Sequence, residues 1–550
     1  MSQQGSSLGV RQAVLSWARF ALLFVSLLVV SGWIKLDWSL LGSTDGLGHV
    51  RSMLAALMQP DLQPDFAFRV LRLMAESIGI GVLGMLGALA LGVPLALFAA
   101  RWPNLMDPPP QPLWLGQLRW CGLWLARSVL SLLRSVPDLV WAFLFVRILG
   151  LGPGAAVCAI ALSFAGIVGK LYAEIMEACP AGPVRFLRSS GASVWGVFLY
   201  GIFPQIRTQW VGYGLFRLEC AIRSAAILGL VGAGGIGSEI ALSIRYYQYN
   251  KLATALLCVF VVVVLFELLS AWLRKQRLWW CLGLGFIASV GSFAGLPVPW
   301  SDLFSSQVLE QVASLGQGFL HPRFEWSWLW TALQKMGQTI AMAWVATLLA
   351  ACFAFFLAPW ASQRLWGGGT LSQPPRSLGP AKWVVWPVVA AIRLLFQWTR
   401  ALPELVWALL VLLWVGPGVL AGTLAIALHT FGILGRLYSE TYEEAELPPT
   451  QWLEAQGATA TGRWLFGMLP SAMPRLMAYT LFRFEVNVRA TAVLGFVGAG
   501  GIGDAIHTAI SLFHFRDLAT YLLVLWASVI VIDSLGSRIR QRWLSEPIAA

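Results

Sequence analysis

The sequence predicts an all-α polytopic membrane protein of about 12 transmembrane helices, arranged as two parallel six-helix repeats. Three observations predict it. Of the 550 residues, 58% are hydrophobic and only 12% are charged, well under the share found in soluble domains; mean hydropathy is +0.71. Apolar runs long enough to cross a bilayer recur along the chain. The second half repeats the first at an offset of 266 positions. So few charges cannot cover the three or four soluble domains that this length would otherwise imply. A soluble enzyme, a disordered chain and a secreted disulfide scaffold are excluded.

Repetition sets the organisation. Residues 215–237, LFRLECAIRSAAILGLVGAGGIG, return as 481–503, LFRFEVNVRATAVLGFVGAGGIG, identical at 15 of 23 positions. Arg134-x-x-Pro137-Asp-Leu-Val-Trp141 returns as Arg400-x-x-Pro403-Glu-Leu-Val-Trp407. Gly166, Glu174, Gly191 and Pro204 return as Gly432, Glu440, Gly457 and Pro470. The chain is a tandem duplication or a fusion of two subunits, with repeats 1–275 and 276–550 and cores of about 70–273 and 330–536.

In the first repeat the apolar runs predict helices over 14–34, 76–100, 118–148, 155–178, 207–230 and 252–273. The first follows Arg11 and Arg19 like a signal peptide, but no A-x-A site comes after it, and it reads as a retained membrane helix. The third is long, and Pro137 removes a backbone hydrogen bond within it, so a bend or break is expected there. The second repeat gives 279–296, 328–358, 383–415, 419–440, 473–496 and 517–536. An even number of spans per repeat gives both copies the same orientation. With a cytoplasmic N-terminus, one side collects Arg11, Arg19, Arg101, Arg119, Arg185, Arg188, Arg274, Lys275, Arg277, Arg538, Arg540 and Arg542. Both termini are then cytoplasmic. The loops 35–68 and 297–327 face outward, and 102–116 and 359–381, rich in Pro, Gly and Ser, read as flexible cytoplasmic linkers. The net charge, 38 − 26 = +12, belongs to the cytoplasmic margin rather than to a nucleic-acid surface. Seven scattered Cys without C-x-x-C read as small buried apolar residues, and five His lack metal spacing. His429, in an apolar run, reads as structural.

The most specific motif is the loop between the fourth and fifth helices of each repeat: PVRFLRSSGASVWGVFLYGIFPQ (183–205) and TQWLEAQGATATGRWLFGMLPSA (450–472). Each has a glycine turn, a short amphipathic stretch, and Pro 13 positions after the glycine. Glycine allows a sharp reversal, and Pro suits the first turn of the next helix. A helix–Gly–helix knob on the cytoplasmic face can dock a partner. The pattern resembles the EAA motif of binding-protein-dependent ABC importer permeases, E-A-A-x₃-G-x₉-I-x-L-P. The second copy keeps Glu454-Ala455, Gly457 and Met468-Leu469-Pro470; the first has Gly191 and Ile202-Phe203-Pro204 without the Glu-Ala pair. In that family the loop is the coupling helix, seated in a groove of the ATP-binding subunit.

VGAGGIG, at 231–237 and 497–503, matches G-x-G-x-x-G literally. A dinucleotide site needs a preceding strand and a βαβ unit, whereas each copy here ends a membrane helix on the outer side. Flexible glycines at Gly234, Gly235, Gly500 and Gly501 suit a mobile gate or tight helix packing. With R-x-x-P-[DE]-L-V-W and L-F-R-[LF]-E-x₃-R, the chain closely resembles permeases of the phosphonate importer family, and more weakly those of methionine importers. The resemblance implies a type I importer (MetI-like) permease fold, two ATP-binding ABC ATPase subunits, an external solute-binding protein, and a translocation path for phosphonate or a related oxyanion such as phosphite or phosphate.

Two ionisable sets recur in the apolar core: Arg217, Glu219 and Arg223, and Arg483, Glu485 and Arg489. Charges at membrane depth are costly and face a cavity or each other. Glu219 and Arg223, like Glu485 and Arg489, are four apart on one helix face and are expected to pair. Arg217 and Arg483 are off that spacing. Surplus guanidinium suits a tetrahedral oxyanion, so Arg223 and Arg489 are candidates for an anion path; ion pairing that glues helices is the other reading. Arg134 with Pro137 and Arg400 with Pro403 mark helix breaks at matching places, which point to a transport path or to a plain kink.

No G-x₄-G-K-[ST] occurs, so ATP hydrolysis falls to the partner subunits. No catalytic or metal spacing recurs, and neither cofactor nor metal is expected. A methionine-type permease, a secondary transporter and an intramembrane enzyme remain alternatives.

Overall fold

A backbone in lipid has to satisfy its own hydrogen bonds, and the apolar runs do so as helices. The computed structural model describes residues 25–42, 44–101, 113–276, 278–298, 305–362, 382–444, 452–453 and 455–545, and all regular structure among them is helical. The first repeat supplies α1 (Pro64–Ala99), α2 (Leu113–Ser135), α3 (Asp138–Leu149), α4 (Pro153–Glu177), α5 (Ala181–Ser189), α6 (Phe203–Leu228), α7 (Ile236–Arg245) and α8 (Tyr249–Leu273). There follow α9 (Leu278–Gly295), α10 (Trp326–Ala361), α11 (Lys382–Ala401), α12 (Glu404–Val415), α13 (Val419–Glu443), α14 (Leu469–Leu494), α15 (Gly501–Ser511) and α16 (Phe515–Ser545).

Six of these helices are long and apolar enough to span a membrane alone, and four further pairs, each bent at a short break, bring the count to as many as 10. The expected helix 14–34 lies largely outside the described residues; its end, from 25, is helical. The expected 279–296 is α9, at 18 residues about 27 Å long. The breaks explain the shorter elements. The expected 118–148 and 383–415 each turn sharply, by 87° and 95°, and the short α7 and α15 leave the glycine strings at bends of 45° and 50°. Most of the linkers 102–116 and 359–381 lies outside the described residues.

Small residues let the long helices approach closely, the usual device where lipid removes the hydrophobic drive to associate. A Cβ on Gly84 of α1 would lie 2.7 Å from Ile160 of α4, and one on Gly92 would lie 2.9 Å from the Ala165 carbonyl. In the second repeat Ala350, Ala354 and Ala358, one turn apart on α10, pack with Leu434, Tyr438 and Tyr442 of α13.

The compact units are cut differently from the sequence repeats 1–275 and 276–550. One unit is Arg51–Phe324 with Thr508–Trp526; the other is Met1–Val50, Glu325–His507 and Ala527–Ala550. Thus α9 packs on the first repeat: Leu296 just beyond it lies 3.3 Å from the Cβ position of Gly79 in α1. In the other unit the Trp344 indole N–H donates to Ser26 Oγ at 3.1 Å, and Trp33 lies 3.3 Å from the Cβ position of Gly337. Lateral packing, not chain order, decides which core each flanking helix completes.

Candidate functional site

The loop after α4 folds as a helical knob. In α5, Val184 is buried while Phe186 is 72% exposed. Gly191 then reverses the chain at φ +80° with nothing near its Cβ position, in the left-handed region that costs other residues about 1–2 kcal/mol. A π-helical turn, Val197–Ile202, ends at the fully buried Ile202 and leads into α6, with Pro204 in its first turn. Such turns often mark functional positions. In the second repeat Glu454 lies outside the described residues. Ala455 is exposed, Gly457 reverses the chain at φ +77°, and the π turn Trp464–Met468 leads to Pro470 at the start of α14. Trp452, the counterpart of Phe186, is also 72% exposed.

At the helix breaks, Pro137 and Pro403 adopt extended ψ of 150° and cap α3 and α12. The break frees carbonyls, and the motif's Trp recovers one of them. Trp141 Nε1 donates to the Leu133 carbonyl at 3.4 Å, and Trp407 Nε1 to the Thr399 carbonyl at 3.0 Å. Gly166 and Gly432 admit the broken segment: a Cβ there would lie 2.6 Å and 2.7 Å from the backbone nitrogens of Arg134 and Arg400. Arg400 Nε donates to Gln397 Oε1 at 2.8 Å.

The glycine strings form tight hairpins. Gly234, Gly235, Gly500 and Gly501 have φ of +81°, +71°, +78° and +74°. Gly229 and Gly237 pack face to face, a Cβ on the first lying 2.8 Å from Cα of the second. Each hairpin is fastened to a long helix of its own unit. The Gly235 N–H donates to Glu76 Oε1 at 3.0 Å and the Ile236 N–H to Ser77 Oγ at 2.9 Å. The Gly501 N–H donates to Gln338 Oε1 at 3.3 Å and the Ile502 N–H to Thr339 Oγ1 at 2.9 Å. These side chains satisfy orphan amides at the starts of α7 and α15.

The ionisable sets differ between repeats. In α6, Arg223 Nη2 donates to the buried Glu219 at 3.3 Å, the i,i+4 pair that the spacing predicts. Arg217 Nε donates to Tyr213 Oη at 2.6 Å, with its guanidinium over the Tyr213 and Phe216 rings. In α14 the expected Glu485–Arg489 pair is replaced. Buried Glu485 pairs with Arg540 of α16, and Arg489 lies 3.9 Å from Asp533 of the same helix. The cause is position 536. A Cβ on Gly536 would overlap Glu485 Oε1, whereas the matching position in the first repeat is Ser270. Arg483 Nε is buried without a hydrogen-bond acceptor, in the field of Glu404 and Arg489. His429 joins α13 to the break, its ring bonded to the Leu402 carbonyl at 2.9 Å and lying 3.7 Å from Glu404.

Sequence reasoning missed Asp533 and Gly536 and the caps Glu76, Ser77, Gln338 and Thr339, and read Arg540 only as a cytoplasmic-side charge, not as the partner of Glu485. Position-by-position comparison of the repeats would have flagged Gly536 against Ser270; the caps are remote in sequence and follow no local spacing.

The family model for "Binding-protein-dependent transport system inner membrane component" matches residues 92–278 and 380–545. The chain is 30% identical over 542 residues, 94% of itself and 92% of the relative, to the Phosphate-import permease protein PhnE of Mycolicibacterium smegmatis. It is 32% identical over 232 residues, 42% of itself and 79% of the relative, to the Phosphite transport system permease protein PtxC of Stutzerimonas stutzeri. More distantly, it is 25% identical over 148 residues, 25% of itself and 65% of the relative, to the Methionine import system permease protein MetP of Bacillus subtilis.

Proposed function

Because the chain belongs to the family of binding-protein-dependent transport system inner membrane components, we propose that it carries a phosphorus oxyanion (phosphonate, phosphite or phosphate) and that its repeats supply both halves of the path. It is a multi-pass permease of an ABC importer, with the type I importer permease fold present twice. The observation that carries the substrate class is the match over 94% of the chain to a phosphate-import permease. The repeated arginines of α6 and α14 give it a chemical basis, since guanidinium pairs with oxyanions in a forked geometry.

In this reading the loops 183–205 and 450–472 are coupling elements on the cytoplasmic side, and both termini lie on that side. Each loop presents an exposed aromatic, Phe186 or Trp452, at matching positions, suited to the groove of an ATP-hydrolysing subunit. The permease itself hydrolyses nothing. Closure of two such subunits moves the loops and switches the path, while a solute-binding protein delivers substrate from outside. The glycine hairpins are the gate elements and the breaks at Pro137 and Pro403 line the path. Arg223 and Arg489, each about one-fifth exposed, pass the anion.

The test is purification with the partner subunits and uptake into proteoliposomes of labelled methylphosphonate, phosphite, phosphate and methionine. ATP-dependent uptake of an oxyanion is expected; uptake of methionine alone refutes the substrate class. Failure of any ATPase to co-purify refutes the coupling assignment.

A further inference from the structure

The coupling end of each unit carries a clamp built around one arginine. Arg127 of α2 donates Nε to the carbonyl of Ala99, the last residue of α1, at 2.9 Å. Its Nη2 binds Glu177 Oε1, on the last residue of α4. The same carboxylate oxygen accepts the Arg101 N–H at 2.8 Å. In the other unit Arg393 of α11 donates Nε to the carbonyl of Ala361, the last residue of α10, at 3.0 Å, and its Nη2 binds Glu443 Oε1, on the last residue of α13. Both Arg and both Glu stand at the repeat offset of 266.

The chemistry suits the place. A helix C-terminus leaves carbonyls unsatisfied and carries the negative end of the dipole. A guanidinium edge presents two parallel donors, so one side chain can hold a helix-end carbonyl and a neighbouring carboxylate together; an ammonium is a point donor without that fork. Two helix ends are thereby joined to the middle of a third helix.

The joined helices lead to both ends of the proposed mechanism. Glu177 stands four residues before α5, the coupling knob. The knob is itself packed down: Leu187 lies 3.0 Å from the Cβ position of Gly201 in the π turn. In the other direction α1 runs unbroken from Ala99 back to Ser77 and Glu76, which hold the glycine hairpin. That is 99 − 77 = 22 residues of helix, about 33 Å. α10 likewise runs from Ala361 back to Thr339 and Gln338, which hold the second hairpin.

We propose that Arg127 and Arg393 are positioning residues that make the coupling loop, the long helix and the gate hairpin of each unit move as one body, so that ATP-driven displacement of the loop reaches the hairpin. The inference rests on the coupling reading above. Without the clamp, the chain between Glu177 and α5 can bend, and loop motion is lost before it reaches α1.

The experiment compares uptake per ATP hydrolysed in proteoliposomes holding the whole transporter, with its ATPase subunits and binding protein. The variants are Arg127→Gln, Arg393→Gln, both together, and the pair Arg127→Lys with Arg393→Lys. Expected is retained co-purification of the ATPase and retained hydrolysis. Uptake per ATP falls about tenfold in the double Gln variant, a size ordinary for coupling free energies. The Lys pair, which keeps the charge but not the fork, also falls. An unchanged ratio overturns the proposal, as does uptake and hydrolysis falling in parallel, which marks a merely structural role. Full activity in the Lys pair overturns it too. Failure of the coupling reading would show differently, as a parent protein that binds no ATPase.

Discussion

Gly536→Ser isolates the reason the two repeats pair their buried glutamates differently. A Cβ at 536 overlaps Glu485 Oε1 and lies 3.4 Å from Arg540 Nη1, so the carboxylate has to leave Arg540. The available replacement is Arg489, one turn along α14. This is the pairing that Glu219 and Arg223 make at 3.3 Å in the repeat that carries Ser270. The carboxylate stays paired, and the cost is that of overpacking a close contact, about 1–3 kcal/mol. Arg540→Gln is different in kind. It strips the partner from a carboxylate whose side chain is 4% exposed, and breaking a buried pair from one side costs about 3–5 kcal/mol. Thermal unfolding of the purified transporter should therefore rank the parent above Gly536→Ser, and Gly536→Ser above Arg540→Gln. If Gly536→Ser unfolds at or below the temperature of Arg540→Gln, space at position 536 does not set the pairing.

Gly191→Asp and Gly457→Asp each place a side chain at positive φ in the coupling loop, costing about 1–2 kcal/mol locally; binding-protein-stimulated ATP hydrolysis and uptake should both fall while the protein still inserts. Phe186→Ala and Trp452→Ala remove the exposed aromatics, and the fraction of ATPase retained on affinity purification should drop, most in the double variant. Arg223→Gln together with Arg489→Gln should reduce oxyanion uptake roughly tenfold or more, the scale of a lost charge-assisted hydrogen bond; unchanged uptake in a stably inserted protein would leave these arginines a structural role only. Trp141→Phe and Trp407→Phe each orphan a carbonyl at a helix break, and about 1 kcal/mol of stability should be lost per site, read as lowered unfolding temperature.

Much of the site was legible because its signals are local. Pro137 and Pro403 mark their helix breaks because proline removes a donor, although Pro94 and Pro474 sit inside continuous helices. Gly191 and Gly457 mark reversals because a left-handed turn favours glycine. The Glu219–Arg223 pair follows from helical geometry alone. The same rule failed for Glu485 because a partner on another helix, Arg540, became reachable through the gap at Gly536. Spacing along one helix cannot register a gap in its neighbour.

The sequence alone determined membrane residence, the duplication, the places where helices break and the glycine turns of the coupling loops, all of which depend on composition or on residues a few positions apart. Tertiary structure decided the rest. Packing placed α9 with the first repeat's core, fastened the hairpins to Glu76, Ser77, Gln338 and Thr339, and brought Arg127 to Glu177 and Arg393 to Glu443. These contacts join residues 50 or more positions apart. They depend on where small residues let helices approach, and only the packed structure fixes those distances.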